Sequence, residues 1–348
     1  MVGCNYIINW NFERKAIMKF DGYKVLVSFE NIDEEFKKEV HGKNIPKAQR
    51  KCIFCGSDTV KFNKIAHAVS ETIGNKSLIS HFECDECNEE FGKKLEDDLG
   101  KYMLPYKIIA QIFGKKNQLT SKDLSNNDNV SYGCFRIQVN KNKPVLEEVE
   151  TKGMIIEKKD TGILKEVDDG FEITILRQHY NPLAVYCSFL KMAYSIMPLE
   201  FYVKYLKHIV VLKQIVAKDS VYCNEEKEKI MKSNPNCGIF CFFPGINPLG
   251  GINVILWQKT NSEEKSYPEM LFTLEMKNFS FTIPVLADEE QGTFKMPKFS
   301  SDKEIQYESL DFSKEELEFK CIMNAKKIEI EDYASLEEKL RNHKLLRQ

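Results

Sequence analysis

No stretch of this 348-residue sequence stays apolar long enough to span a bilayer. The opening MVGCNYIINWNFERK has no basic start leading into an apolar run and a small-residue cleavage site, so it does not read as a secretory signal. The expectation is a cytoplasmic protein, not a membrane-spanning or exported one. Strong charge of one sign is also missing. The formal net charge is −2, so any attraction to nucleic acid must come from a local basic surface. No internal repeat is present, which excludes solenoids and propellers. The apolar and charged fractions are those of an ordinary globular protein, and the length accommodates two domains.

Cysteine, by contrast, is plentiful, with eleven in the chain. In a reducing compartment, closely paired cysteines more often hold metal than form disulfides. Cys52/Cys55 and Cys84/Cys87 are two Cys-x2-Cys pairs with the spacing of a structural zinc site, where four thiolates close a tetrahedron on one ion. Gly56 follows the first pair and permits the tight turn that aims both sulfurs inward. Cys4, Cys134, Cys187, Cys223, Cys237, Cys241 and Cys321 are scattered and read as buried thiols. Cys237 and Cys241 share a strand face, but two ligands do not make a metal site. Just before the first pair, HGKNIPKAQRK carries Lys43, Lys47, Arg50 and Lys51 and no acid. It is either a solvated linker or an arm that steers phosphate toward a neighbouring site.

Residues Lys15 to Glu30 alternate around Ile17, Phe20, Tyr23, Val25 and Val27 with Asp21-Gly22 between the halves, which predicts a hairpin. Ile32 to Val40 predicts a short polar helix with Phe36 and Val40 on one face. Residues 1–50 then form an accessory segment on the zinc unit. Between the cysteine pairs the sequence predicts an extended run at Val60 to Val69 and a turn at Gly74-Asn75. From Asp85 it predicts a helix with Phe91, Leu95, Leu99 and Tyr102/Met103 on one face, stopping at Leu104-Pro105-Tyr106.

The polar stretch Lys115 to Val130 divides a zinc-containing domain, 51–118, from a larger domain, 130–348. The latter is predicted to hold strands FRIQV, GMIIEKK and GFEITIL, with turns at Asp160-Thr161-Gly162 and Asp168-Asp169-Gly170. A buried helix follows at Pro182 to Met197, apolar nearly all round, then a second helix over Leu199 to Val216. Further strands fall at Gly238 to Phe243, Asn253 to Gln258, Leu271 to Met276, Phe279 to Val285 and Lys320 to Ile330, with a peripheral helix from Tyr333. The fold class expected is α+β, a mainly antiparallel sheet around one helix pair.

About fifty residues cannot bury enough apolar surface unaided, which explains a zinc staple but not what it holds in place. Three polar residues carry that question. His67 can act as general base on a water attacking a phosphodiester. Asn75 can bond the far imidazole nitrogen and fix its tautomer. Asn88, directly after Cys87, can offer its amide oxygen to Mg²⁺. Each has an ordinary alternative: a satisfied core histidine, a turn residue after Gly74, an exposed first position of a helix. His81 could replace a thiolate on zinc, yet four cysteines already complete the tetrahedron.

AHAVSE, GNKSL and ECDECNEEFG, set between two Cys-x2-Cys pairs, resemble the HNH endonuclease family over Lys51 to Tyr102. The resemblance implies a ββα-metal fold with His67 as general base, Asn75 as orienting residue and Asn88 as ligand of a catalytic divalent ion, Mg²⁺ or Mn²⁺, with Cys52, Cys55, Cys84 and Cys87 on structural zinc. Many members place an acid or a histidine just before the catalytic His as a second metal ligand; here that position is Ala66, with Glu71 and Glu83 as substitutes to consider. The function so implied is a metal-dependent endonuclease, a hydrolase of DNA phosphodiester bonds. One such centre cuts one strand per event, so a double-strand break calls for two protomers or two visits. The rival expectation is a non-catalytic, zinc-stapled nucleic-acid-binding or ligand-sensing protein. By analogy of layout, the larger domain could sense a ligand or partner, or form a homo-oligomer, and control the nuclease, as in bacterial antiviral defence effectors.

Overall fold

The computed structural model describes residues 18–40, 46–110, 112, 164–167, 170–216, 237–243, 249–260, 264–285 and 294–323. The strands expected at FRIQV and GMIIEKK, the boundary at 115–130, the tail helix, and Cys4, Cys134 and Cys223 lie outside the described residues. Among the described residues no helix is long and apolar enough to cross a membrane.

The largest element is a six-stranded antiparallel sheet. Four strands form its centre, β8 (Gly238–Phe242), β9 (Ile252–Lys259), β10 (Met270–Met276) and β11 (Phe279–Val285). Their sequences are nearly continuous runs of aromatic and β-branched residues, a pattern that suits a sheet covered on both faces. The two faces separate by the strand's period of two. Ile252, Val254, Leu256, Phe272, Leu274, Phe279, Phe281 and Ile283 enter one core, while Ile239, Cys241, Ile255, Trp257 and Leu271 enter a smaller one with Met18 and Phe20. At the two edges are β13 (Gln306–Leu310), beside β8, and β2 (Tyr23–Phe29), beside β9. Smaller sheets pair β1 (Met18–Phe20) with β12 (Phe299–Ser301), and β7 (Gly170–Leu176) with β6 (Leu164–Val167) and β14 (Glu318–Met323).

The N-terminal hairpin does not form as expected. Asp21-Gly22 is a turn, but β1 pairs with β12 and β2 pairs with β9 through a bulge at Val25/Val27. Alternation marks a strand and is silent about its partner. The helix expected at Ile32 to Val40 is also absent. The chain turns there, Phe36 stays 80% exposed, and β3 (Lys38–Val40) runs parallel to β5 (Leu78–Ser80) in the zinc unit. The opening segment is thus shared between the large sheet, through β2, and the zinc unit, through β3.

Beyond the second cysteine pair the helix is broken at Leu95 into α1 (Asp85–Lys94) and α2 (Glu96–Ile109). It does not stop at Pro105, which lies inside α2. An interior proline costs roughly 3 kcal/mol. Burial of a large apolar side chain stabilises by about 1.5–3 kcal/mol, and Tyr102, Tyr106 and Ile109 are all buried. The Tyr106 ring alone meets Phe281 and Phe319 at 4.8 Å, Phe279 at 5.3 Å and Phe240 at 5.4 Å between centroids. Arg177 fixes the same junction: its guanidinium lies 4.9 Å over the Tyr102 ring and Nη2 donates to Tyr106 Oη at 2.7 Å.

The central buried helix is α3 (Pro182–Ile196), started by Asn181, whose side chain accepts from Leu183 N at 3.1 Å. Every residue from Leu183 to Ile196 is buried. The second expected helix is a 3₁₀ turn, Leu199–Lys204, followed by α4 (Leu206–Val216). One hydrophobic core joins α1, α2, α3 and the inner face of the large sheet. The fold is α+β with a mainly antiparallel sheet, and it carries the cysteine-stapled unit against its central helix.

Candidate active site

The four paired cysteines converge although they come from two distant stretches of chain. All four Sγ atoms lie within 4.8 Å of one another, with Cys52 to Cys87 at 3.8 Å and Cys55 to Cys84 at 3.9 Å. A zinc tetrahedron with Zn–S of about 2.3 Å has S···S edges of about 3.8 Å, so the donor set fits that ion. Gly56, at φ 68°, turns the knuckle back so that its N–H donates to Cys52 O at 2.8 Å. Cys84 is the N-cap of α1, and Cys87 falls in the first turn of the same helix. Electrostatics agrees with a cation. The hydrogen bond between Cys52 and Cys87 pulls the Cys52 thiol down to about 5, and the same contact pushes Cys87 far up. A cluster this tight ionises fully only around a positive ion.

Two strands between the pairs and one before them form a three-stranded sheet in the order β3-β5-β4, where β4 is Ala66–His67. Only these two residues of the expected Val60 to Val69 strand pair with a neighbour, so the rest of that run is irregular. His67 is half-buried at the sheet edge. Its Nδ1 lies 3.4 Å from Asn75 Nδ2 and its Nε2 lies 3.5 Å from Glu71 Oε1.

Asn75 is 2% exposed. Its Oδ1 accepts from Ser77 N at 3.1 Å and Leu78 N at 2.9 Å, and its Nδ2 donates to Leu78 O at 3.0 Å and to Val69 O at 2.5 Å. It therefore clamps the turn between β4 and β5 while touching the imidazole. Gly74 before it is required twice over. Its φ is 101°, and a Cβ there would meet Ile112 Cγ2 at 2.7 Å and Ile252 Cδ1 at 2.8 Å.

Asn88 sits in the first turns of α1, half-exposed, and its side chain makes no hydrogen bond among the described residues. The structure thus brings His67 and Asn75 together and leaves the Asn88 amide uncommitted. Of the two acids considered in place of a ligand at Ala66, Glu71 faces the imidazole and Glu83 is buried.

Glu83 has a partner that sequence reasoning missed. Lys191, the one charged residue of α3, is 3% exposed, and its Nζ lies 2.9 Å from Glu83 Oε2 and donates to the backbone carbonyl of His67 at 2.8 Å. The Glu83 contact is one of charge more than of an aligned hydrogen bond. Burial pushes the Glu83 carboxyl up to about 7 against the pull of Lys191. A lone lysine in PLAVYCSFLKMAYSI was the available signal, since a buried lysine needs a counter-charge. Removing one member of a buried pair typically costs about 3–5 kcal/mol, because the other charge is left unpaired. Lys191→Met is therefore expected to lower the unfolding temperature sharply, and Lys191→Met with Glu83→Gln to recover much of the loss. Equal destabilisation by single and double variants, measured by denaturant unfolding, would remove the coupling.

A short sheet joined to a helix through a four-cysteine cluster that fits zinc, with a histidine on the strand and an asparagine in the turn, has the arrangement of a ββα-metal unit. Residues 52–104 match the family model for HNH endonucleases, and the four cysteines that converge in this segment form a group that could hold a metal ion. No curated protein and no solved structure matches the chain.

Proposed function

We propose that the chain is a divalent-metal-dependent endonuclease that hydrolyses DNA phosphodiester bonds, with His67 as general base. The observation that carries this reading is the His67 imidazole, held between Asn75 and Glu71 at an open sheet edge inside the segment that matches HNH endonucleases. In this reading His67 takes the proton of a water as that water attacks phosphorus in line with the leaving 3′ oxygen. Asn75 keeps the imidazole in position through the turn it clamps. Lys191 donates to the backbone carbonyl of the same residue. A divalent ion, Mg²⁺ or Mn²⁺, held by the Asn88 amide oxygen would supply positive charge to the departing oxygen. In this reading Glu71, 3.5 Å from His67 Nε2, is the carboxylate that would share the ion with Asn88, since Glu83 is engaged by Lys191.

The region 130–348 is assigned the positioning of DNA or the restraint of the nuclease, which the grip of α3 on His67 supports. The competing reading keeps the zinc staple and nucleic-acid binding but no catalysis. Plasmid, linear and single-stranded substrates, each with and without Mg²⁺, separate the two: Mg²⁺-dependent scission is expected, and its absence with intact binding selects the rival. Asn88→Ala is expected to raise the Mg²⁺ concentration for half-maximal rate while leaving zinc content unchanged. An unchanged Mg²⁺ titration removes Asn88 from the ligand set.

A further inference from the structure

A second feature adjoins the zinc unit, a cavity of about 200 Å³ one residue along β4 from His67. Ala66 and Ser80, register partners across β4 and β5, form part of its wall; His67 does not line it, so the cavity flanks the histidine. Lys37, Lys47, Arg50 and Lys64 bring positive charge to it from separate pieces of chain. Phe62, Ile65 and Ile79 give it an apolar side, on which Ile65 is 59% exposed. Its floor is polar and buried. Ser80 is 3% and Glu83 2% exposed, and neither Ser80 Oγ nor Glu83 Oε1 has a hydrogen-bond partner among the described residues. Buried polar side chains are nearly always satisfied in native proteins, so the unsatisfied atoms on Ser80 and Glu83, residues that line one cavity, are where a ligand would supply a hydrogen bond.

The charges around the cavity indicate what kind of ligand fits. Its two acids have neighbours: Glu83 has Lys191 at 2.9 Å, and Glu39 lies 3.3 Å from His81 Nε2. Lys64 is held by Glu89 at 2.8 Å. Lys37 and Lys47 are exposed and have no carboxylate partner among the described residues. The rim therefore offers positive charge to an anion, the side offers apolar contact, and the floor offers an acceptor at Glu83 and a hydroxyl at Ser80. A phosphate joined to a ring that carries hydrogen-bonding groups satisfies all three.

We propose that this cavity is a subsite for one nucleotide, with its phosphate on Lys37, Lys47 and Arg50 and its base or sugar against Phe62, Ile65 and the Ser80–Glu83 floor. The occupant is a nucleotide of the substrate strand beside the scissile bond, an assignment that rests on the nucleic-acid reading of the neighbouring site. The described end of the basic run HGKNIPKAQRK then serves as a phosphate contact through Lys47 and Arg50, not as a solvated linker.

The test is binding to the full-length, zinc-loaded chain without added Mg²⁺, followed by fluorescence anisotropy of a labelled single-stranded 12-nucleotide DNA. A nucleoside 5′-monophosphate and inorganic phosphate serve as competitors. Lys47→Ala with Arg50→Ala is expected to weaken oligonucleotide binding on the order of tenfold and to flatten the slope of log affinity against log salt by about 1.4, two contacts at ~0.7 each. Ser80→Ala is expected to weaken binding several-fold with no change in that slope, because a hydroxyl carries no charge. Zinc content and unfolding temperature report whether each variant is folded; should Ser80→Ala not fold, the exposed rim pair decides alone. Wild-type affinity and salt slope in the rim variant overturn the subsite. A mononucleotide that outcompetes the oligonucleotide, and does so only with the rim intact, keeps the site and makes its ligand a free nucleotide. Scission is assayed separately with Mg²⁺. Rim-dependent binding without scission leaves the subsite standing and sinks the nuclease reading, and scission with rim-independent binding does the reverse.

Discussion

His67→Ala is expected to abolish strand scission while zinc content, thermal unfolding and DNA affinity remain close to wild type. General-base catalysis contributes about 10²–10⁴-fold to rate, so even the low end of that range takes a slow nuclease to background in an ordinary gel assay. The fold should tolerate the change for a stated reason. The imidazole is half-buried at a sheet edge, and the bonds that tie β4 in place run through the backbone, to β5 and to Lys191, all of which survive truncation. Asn75 keeps its four bonds to the turn, so the clamp does not depend on the ring. A variant that cuts at the wild-type rate refutes the assignment. One that loses zinc or unfolds early makes His67 a core residue instead.

Cys84→Ser, or treatment with a strong chelator, is expected to release one equivalent of zinc and to unfold the unit locally. Metal binding and folding are a single equilibrium here, and structural zinc sites in small units carry about 10–16 kcal/mol of apparent binding free energy. That exceeds the total stability of a typical domain, about 5–15 kcal/mol, at most of its range. The effect should spread beyond the knuckle, because Cys84 caps α1 and its neighbour Glu83 is half of the buried pair that reaches α3. Elemental analysis of purified wild type and hydrogen exchange over 52–104 check both parts. Absence of zinc in the wild type, or full protection of that segment without metal, overturns the staple.

Much of the segment 52–104 is legible in the sequence. The zinc ligands are legible because their chemistry demands a fixed spacing, and the short loop of a knuckle leaves the second sulfur few places to go. The Gly74-Asn75 turn was legible because a positive φ is nearly a glycine signature. The apolar helix over Pro182 to Met197 was legible because residues apolar on every side have nowhere to go but a core. The element types of the central strands followed from the same argument. The errors share a cause. The hairpin at Lys15 to Glu30, the helix at Ile32 to Val40 and the stop at Pro105 all rest on local pattern, and each is overruled by a partner tens to hundreds of residues away or by burial that outweighs a local cost.

The sequence by itself determined the four-cysteine cluster, the order of His67, Asn75 and Asn88 along the unit, and the mainly antiparallel character of the large sheet. Those features depend on short-range geometry: ligand spacing, turn conformation, and the periods of strand and helix. The tertiary structure alone decided which strands pair, that the opening segment is divided between the sheet and the zinc unit, and that Lys191 of α3 holds the carbonyl of His67 beside Glu83. These are choices among partners distant in the chain. They are settled by which packing leaves the fewest buried groups unpaired, and no window of sequence contains both sides of that comparison.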